Sequence, residues 1–442
     1  MHLRTVAVIA ATALAAAAAW PRFVVTREAQ AAAEPTPAPV IADYAQRDRL
    51  IAFYEDAVRR HPDQIMTRML ASQYLQRFRE RGDAGDLLRG EHAARESLAL
   101  QPRGNAAAEM ALASSQTSLH RFRAALAHAR RALEIAPSGR AALAQVASTE
   151  VELGRYDEAR RTLDAAERGG AVSADDVALA TATARYDEIT GNVGRARRSV
   201  ERAMAQVDAV IDSPAESRAW YHFRAGELAW IAGDGDAAER RYREALAIFP
   251  SYPRALNGLA RVYWGERRWR EALDAATRAA NLVPLPETLG YEADAQRALG
   301  DENGARATDD LIGAIARTAN SVDDRALAVY FADHRIHAAE AVAIARRDVA
   351  ARDDVFAEDT LAWALERAGR CTEARSAARK AVRANTQDAR LQYHAGVIAL
   401  ECGDRSEGMK RLRAALASNP AFDPAGAEEA RRLLAYGSVS GR

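Results

Sequence analysis

Small residues and turn signals recur along the chain after residue 64 in units of about 34 residues. The copies at 219–250, 253–284 and 389–420 show the pattern most clearly. Each has a Gly or Ala pair early, Ala and a bulky apolar residue in its second half, and a Pro at its end. A repeat of this length predicts two helices per unit. One unit cannot bury its apolar face alone, so the pattern predicts an all-α solenoid of stacked units.

The turns inside the units carry a second regular signal, a Gly followed by a polar residue. It occurs at Gly154-Arg155, Gly233-Asp234, Gly369-Arg370 and Gly403-Asp404. Gly readily takes the left-handed conformation that ends a helix, and a following Asp caps the next helix. The chain is 49% apolar and 6% aromatic. We therefore expect helices throughout after residue 43, and no strand longer than a few residues.

Three units also carry residues at the positions of a known repeat. They are Ala225, Gly226, Ala238, Tyr242, Ala245 and Pro250; Leu259, Ala260, Tyr263, Trp269, Ala272, Ala279 and Pro284; and Ala395, Gly396, Gly403, Leu412, Ala415 and Pro420. This pattern resembles the tetratricopeptide repeat (TPR). The resemblance implies a superhelix over residues 43–423, with degenerate units at 66–102 and 289–305. A polar-faced capping helix and tail are expected at 424–442.

The first 42 residues have a different composition. Arg4 precedes an apolar run from Thr5 to Trp20, which is long for a signal-peptide core and short for a membrane span. Residues 1–27 are interpreted as a signal peptide or membrane anchor, and a cleaved signal and either orientation of an uncleaved anchor stay open. The Pro- and Ala-rich residues 28–42 are a predicted linker. We expect a bacterial-type protein of the cell envelope, anchored or exported, with its repeats outside the cytoplasm.

The charges argue against several classes of partner. Acidic and basic residues balance at 61 each, so no global field attracts nucleic acid or a membrane surface. We expect no nucleic-acid partner, and contact with a membrane through the N-terminal segment alone.

Motifs of catalysis are missing or lack their context. The stretch from Gly233 to Ala238 matches a dinucleotide-binding pattern, but that pattern requires a preceding strand. His334 and His337, beside Asp333, have a spacing that allows metal ligation, although a solvated helix end is the favoured interpretation. We expect a protein that is not an enzyme and uses no cofactor or metal.

The resemblance also implies a binding surface, because peptide-binding TPR proteins line a concave groove with defined positions of their first helices. In this sequence those positions hold small residues in the N-terminal units and aromatic or charged residues from residue 220 onward. They are Trp220, Phe223, Glu227, Trp230, Arg254, Asn257, Arg261, Trp264, Asp294, Arg297, Tyr330, Trp363 and Tyr393. Aromatic residues beside Arg are typical of binding hot spots.

The groove residues leave two hypotheses for function. The first is a non-catalytic scaffold that binds a protein or peptide partner. The alternative is an exported receptor that binds a small molecule or glycan with the aromatic half of the groove. We expect Trp220, Trp230 and Trp264 on one inward stripe; the competing interpretation places some of these rings in the core between helices.

The two cysteines test the alignment of the last repeats. Cys371 opens the second helix of one unit, and Cys402 ends the first helix of the next. If these helices pack antiparallel as in TPR arrays, the two Cα atoms should lie within about 7 Å, the limit for a disulfide. A disulfide and two free thiols both stay open, and export would favour the disulfide.

Overall fold

A computed structural model describes residues 42–168, 177–318 and 325–439, and in these residues every regular element is an α-helix. The predicted all-helical architecture is thereby confirmed. The expected signal or anchor at 1–27 lies outside the described residues, as does the linker up to residue 41. The helices are α1 (Ala42–Arg60), α2 (Gln64–Arg81), α3 (Ala84–Leu100), α4 (Ala106–Ser118), α5 (Phe122–Ile135), α6 (Arg140–Glu152), α7 (Tyr156–Arg168), α8 (Val177–Ile189), α9 (Val193–Ala209), α10 (Ala215–Ile231), α11 (Gly235–Ile248), α12 (Pro253–Gly265), α13 (Trp269–Leu282), α14 (Pro286–Ala298), α15 (Glu302–Thr318), α16 (Arg325–Asp333), α17 (Ala338–Ala351), α18 (Val355–Arg367), α19 (Cys371–Ala381), α20 (Ala389–Glu401), α21 (Arg405–Ser418) and α22 (Pro424–Val439).

Consecutive helices from α2 to α21 pair into helix-turn-helix repeats, numbered here from repeat 1 (α2 and α3) to repeat 10 (α20 and α21). In each repeat helix A precedes helix B. An A–B turn joins the two helices, and a B–A loop leads to the next repeat. Helix α1 packs on α2 as a B helix does, and α22 packs on α20 and α21 as an A helix does. The repeats therefore form one continuous α-solenoid.

Small residues let the helices approach closely. A Cβ added to Gly226 of α10 would lie 2.5 Å from the Tyr242 ring, and one added to Gly258 of α12 would lie 2.6 Å from it. Tyr242 is fully buried, and Ala238 and Ala245 beside it on α11 are equally inaccessible. One aromatic ring thus occupies the space that two glycines leave, which fixes the packing of three consecutive helices.

The A–B turns follow the chemistry that the sequence indicates. Gly154 and Gly233 have φ of 72° and 75°, the left-handed conformation that favours glycine. The Asp234 carboxylate accepts a hydrogen bond from the Ala237 amide at 3.1 Å, and Asp404 accepts one from the Glu407 amide at the same distance. Each turn therefore ends helix A and caps helix B with local contacts alone.

The superhelix closes on itself along a seam, defined here as the contact between A–B turns and the B–A loops about five repeats later. A Cβ on Gly154 would overlap the carbonyl of Asp353, and one on Gly233 would lie 2.5 Å from the Ser418 carbonyl oxygen. Hydrogen bonds cross the seam as well: the Val355 amide donates to Tyr156 Oη at 2.9 Å. Residues nearly 200 positions apart in sequence are thus in contact, and the two turns of the superhelix touch.

An extended helix and a short connection join repeats 4 and 5. Helix α9 continues to Ala209, and α10 begins at Ala215 after a short connection that exposes Val210 and Ile211. Across 42–168, 177–318 and 325–439, none of the helices combines the length and the apolar character needed to cross a membrane.

Candidate functional site

The expected groove residues occupy A helices whose side chains contact one another across repeats. The Asn257 amide on α12 donates to Glu287 on α14 at 3.1 Å, and its carbonyl oxygen accepts from Thr288 at 2.8 Å. The Trp264 indole N–H donates to Asp294 at 3.1 Å, again from α12 to α14. The structure therefore brings these positions together on one inner surface.

One end of this surface, formed by the N-terminal halves of α10 and α12, is accessible. Arg254 is exposed, and Trp220 and Phe223 are half-buried. The Phe223 ring lies 5.9 Å from Tyr242 and 6.0 Å from Tyr252, and Trp220 makes an edge contact with Tyr221 at 4.8 Å. These rings rest on the core with one side left toward solvent. We call Trp220, Phe223, Arg254 and Asn257 the groove entrance.

Deeper in the groove, ionised groups are paired with each other. Glu227 accepts hydrogen bonds from Tyr242 Oη at 2.5 Å and from the Arg261 guanidinium. Burial raises the pKa of Tyr242 well above its usual value, and the Glu227 carboxylate adds to the shift. Arg261 also lies 5.6 Å above the Trp230 ring. These side chains pair with one another, although the buried Arg261 Nε has no hydrogen-bond partner, and the pairing joins α10, α11 and α12.

A second paired group joins repeats 6 to 8. Arg297 lies 3.2 Å from Asp294 and also contacts Asp309. Tyr330 Oη donates to Asp309 at 2.5 Å. Burial raises the pKa of Asp294, although nearby His334 and the Trp264 hydrogen bond oppose the shift. The carboxylates here are matched by donors from the adjacent helices.

The last groove residues are enclosed by the C-terminal repeats. Trp363 donates to Asp333 at 2.8 Å, and its ring lies between His394 at 4.2 Å and the Arg367 guanidinium at 3.7 Å. Tyr393 Oη donates to Glu429 of α22 at 2.6 Å. Five expected groove rings are therefore buried, with exposed fractions between 2% and 7%: Trp230, Trp264, Tyr330, Trp363 and Tyr393.

The seam covers one of these rings, Trp230. The Asn419 side chain, in the loop after repeat 10, donates to the Trp230 carbonyl oxygen at 2.8 Å. A Cβ on Gly265 would come within 2.8 Å of the Trp230 ring and would overlap the Ala421 carbonyl oxygen. Trp230 therefore lies beneath the loop of the second superhelical turn, which separates it from the accessible Trp220.

Other charged residues of the inner surface lie in the N-terminal repeats, where small residues are expected. Arg185 donates to Glu188 at 2.7 Å and to Glu152 at 3.0 Å, and Arg224 contacts Glu188 from α10. Burial acts to raise the pKa of Glu188, but the two arginines outweigh it and hold the pKa below its usual value. The spacing of Arg185 and Glu188 is the sequence signal for this pair.

The histidine pair has a different environment from a metal site. His334 Nε2 lies 3.8 Å from Asp294, whereas His337 is mostly exposed and has φ of 48°. Asp333 instead pairs with Arg390. In the described ranges no cluster of three His, Cys, Asp or Glu side chains could hold a metal ion.

The two cysteines are adjacent at the A–B turns of repeats 9 and 10. Cys371 and Cys402 have Cα atoms 5.5 Å apart, within the expected limit, and their sulfur atoms are bonded. The start of α19 therefore lies beside the end of α20, as the repeat alignment predicts.

Comparisons with known proteins agree with this geometry. Residues 229–288 match the family model described as tetratricopeptide repeat. The structure of the human IFIT1 dimer with PPP-AAAA aligns over 77% of this chain and 78% of that chain, with 14% identity and a TM-score of 0.50. The structure of yeast Tom70 aligns over 86% of this chain and 97% of that chain, with 12% identity and a TM-score of 0.32. No curated protein matches the sequence.

The fold defined by these repeats is a superhelical α-solenoid. Residues 229–288, in repeats 5 and 6, match the tetratricopeptide repeat, and the described residues as a whole have the solenoid fold that such repeats form.

Proposed function

We propose that the protein is a non-catalytic scaffold that binds a protein or peptide partner at the groove entrance. The observation that carries this proposal is that α12 packs beside α10 and exposes Arg254, while α10 leaves Trp220 and Phe223 half-buried. A guanidinium next to aromatic rings is the composition of binding hot spots. The deeper groove residues pair among themselves and support this entrance from behind.

The chemistry of the entrance favours an extended segment with an acidic group and an apolar side chain. Arg254 would pair with a carboxylate, and its fork geometry suits two parallel hydrogen bonds. Trp220 and Phe223 would contact the apolar side chain with the faces that the core leaves open. Asn257, one turn along from Arg254 on α12, would orient the main chain of the partner.

The alternative, an exported small-molecule or glycan receptor, has less support. Such a site needs flat ring faces open to the ligand, whereas Trp230 and Trp264 are 6% and 7% exposed. We also do not propose binding of nucleic acid. Arg224 and Arg261 face inward but are paired with carboxylates, so they are not free to neutralise phosphates.

We further propose that the repeats work at the cell envelope, outside the cytoplasm. Two observations support this location: the apolar run from Thr5 to Trp20 and the bond between Cys371 and Cys402. Disulfides persist in oxidising compartments and are rare in the cytosol. Thiol labelling of protein from its native compartment tests the proposal, and two free cysteines there would contradict it.

Cross-linking in the native membrane fraction followed by mass spectrometry tests the binding proposal. The variant Trp220→Ala/Arg254→Glu should lose the cross-linked partner. The control Arg270→Glu, which changes an exposed arginine of α13, should keep it. Full capture by the entrance variant would refute the proposal.

A second control separates binding from stability. The variant Trp230→Ala/Trp264→Ala removes two buried rings, so we expect a loss of about 3 to 5 kcal/mol of stability per ring. Below its melting temperature this variant should still capture the partner, because its groove entrance is unchanged.

A further inference from the structure

Along the seam, the number of repeats between an A–B turn and the loop that contacts it is the same in several repeats. The A–B turn of repeat 1, at Gly82, lies against Val283 at the end of repeat 6. The turns of repeats 3, 4 and 5 lie against the loops that end repeats 8, 9 and 10, through the pairs Gly154 with Asp353, Gly191 with Asn385 and Gly233 with Ser418. These four turns are each covered by the loop that ends the fifth repeat after them. The turn of repeat 6 lies against the loop after repeat 10, through Arg267 and the Pro424 carbonyl oxygen.

The same rule leaves two edges uncovered among the described residues. The A–B turns of repeats 7, 9 and 10 have open space: a Cβ on Gly300, Gly369 or Gly403 would meet nothing within 4 Å. At the opposite end, the loops after repeats 1, 2 and 4 have no turn to cover. We call these the free turn edge and the free loop edge.

Apolar side chains are exposed on both free edges. Leu299, in the turn of repeat 7, is 40% exposed, whereas Leu153 at the same position of the covered turn of repeat 3 is 5% exposed. Both have nearly the same backbone conformation, with φ of −90° and −87°. Leu153 packs against Phe122 and Leu126 of α5, whereas Leu299 leaves an apolar side chain exposed on the free turn edge.

We propose that a second copy of this chain stacks head to tail on the first and continues its superhelix, so that the free turn edge of one copy receives the free loop edge of the next. Helix α22, which packs as an A helix, would pair with α1 of the next copy, which packs as a B helix. Together they would form an eleventh repeat. The contact between two chains then has the geometry of the seam. It is heterologous, because it joins two different surfaces of identical chains.

The register of the exposed residues agrees with this continuation. With the added repeat, the turn of repeat 7 meets the loop after repeat 1 of the next copy, which brings Leu299 to Leu100, 47% exposed. The turn of repeat 8 meets the loop after repeat 2, and brings Ile336 to Ile135, each 41% exposed. The turn of repeat 10 meets the loop after repeat 4, which presents Ile211 at 98% exposure.

Two further observations favour a second copy as the occupant. The free edges consist of A–B turns and B–A loops, the same two kinds of element that contact each other along the seam, so their backbone shapes match. The net charge is zero, so copies do not repel each other through a common field.

Sedimentation of the full-length chain tests the proposal. The average mass should rise beyond two chains as the concentration increases to the order of 100 µM. The turn-edge variant Leu299→Lys/Ile336→Lys and the loop-edge variant Leu100→Lys/Ile135→Lys should each be monomeric. Mixed in equal amounts they should form dimers and nothing larger, because each contributes one intact edge. All four sites are already exposed, so circular dichroism should be unchanged.

A control variant outside the two free edges should leave the association unchanged. Leu88, 50% exposed on α3 outside both free edges, gives the control Leu88→Lys, which should associate as the unchanged chain does. A chain that stays monomeric throughout would show that the edges are free or covered by something else. Association that stops at a dimer, or a variant mixture that stays monomeric, would overturn the head-to-tail contact.

Discussion

A pair of glycines with matched turns and different surroundings tests whether the seam is closed in solution. Gly154 and Gly369 have φ of 72° and 71°, and each is followed by Arg and a B helix. A Cβ at Gly369 would meet nothing within 4 Å. A Cβ at Gly154 would lie 2.5 Å from the carbonyl carbon of Asp353 and 2.7 Å from a guanidinium nitrogen of Arg383.

The two alanine variants should therefore differ by the cost of opening the seam. Alanine in the left-handed conformation costs about 1 to 2 kcal/mol at both positions. At Gly154 the seam must also separate by about 1.5 Å, because the added Cβ would lie only 1.8 Å from the Asp353 carbonyl oxygen. Overpacking of this kind costs about 1 to 3 kcal/mol, so we expect Gly154→Ala to weaken the seam by about 2 kcal/mol more than Gly369→Ala.

Hydrogen exchange at the Val355 amide measures this difference locally. Val355 is the first residue of α18, so its N–H has no partner within the helix and donates to Tyr156 Oη across the seam at 2.9 Å. A loss of about 2 kcal/mol accelerates exchange about 30-fold if the amide exchanges when the seam opens. Gly369→Ala should leave the Val355 rate near that of the unchanged chain. Equal rates in both variants would refute the closed seam.

Two further predictions concern the C-terminal repeats. Burial and a hydrogen bond with Glu401 raise the pKa of Glu366 from 4.5 to about 7. Because the folded pKa is the higher one, this stabilisation is full below pH 4.5 and is lost as the pH rises through 7. Glu366→Gln should remove that slope in urea unfolding and be the more stable chain at pH 8 by up to about 3 kcal/mol; an unchanged slope would contradict the assignment. Reduction of the bond between Cys371 and Cys402 should lower the stability of these repeats by about 3 to 4 kcal/mol, and Cys371→Ser should respond to no reductant.

The local features of the fold could be predicted because local chemistry determines them. The left-handed Gly at the A–B turns of repeats 3, 5, 9 and 10 and the capping Asp234 need only their neighbours along the chain. The proximity of Cys371 and Cys402 needs one further fact, the antiparallel packing of consecutive helices. Each of these contacts depends on the geometry of one or two repeats, so small errors in the expected angle between repeats do not add up.

The seam could not be predicted, because it depends on the rotation summed over five repeats. A small change in the angle between successive repeats would move Ser418 away from Gly233, although no local residue pattern would differ. For the same reason the sequence placed Trp220 and Trp230 on one inward stripe but did not indicate that Asn419 and its loop cover the second. One residue of the sequence, Gly265, did indicate this close contact. In repeat 6 the left-handed position is Arg267, and the glycine is Gly265, where a side chain would meet the Trp230 ring and the Ala421 carbonyl.

The seam divides the groove into two parts with different energetic requirements for a partner. A ligand at Trp220 and Arg254 meets side chains that are already accessible, so its affinity needs no change of the superhelix. A ligand at Trp230 must first displace the loop at Asn419, and its affinity is reduced by the cost of opening. Gly233→Ala lowers that cost in advance, since its Cβ would lie 2.5 Å from the Ser418 carbonyl oxygen, next to Asn419. The variant should therefore leave binding at the entrance unchanged and strengthen any binding at Trp230, which makes the response of affinity to this one substitution a measure of how deep a partner reaches.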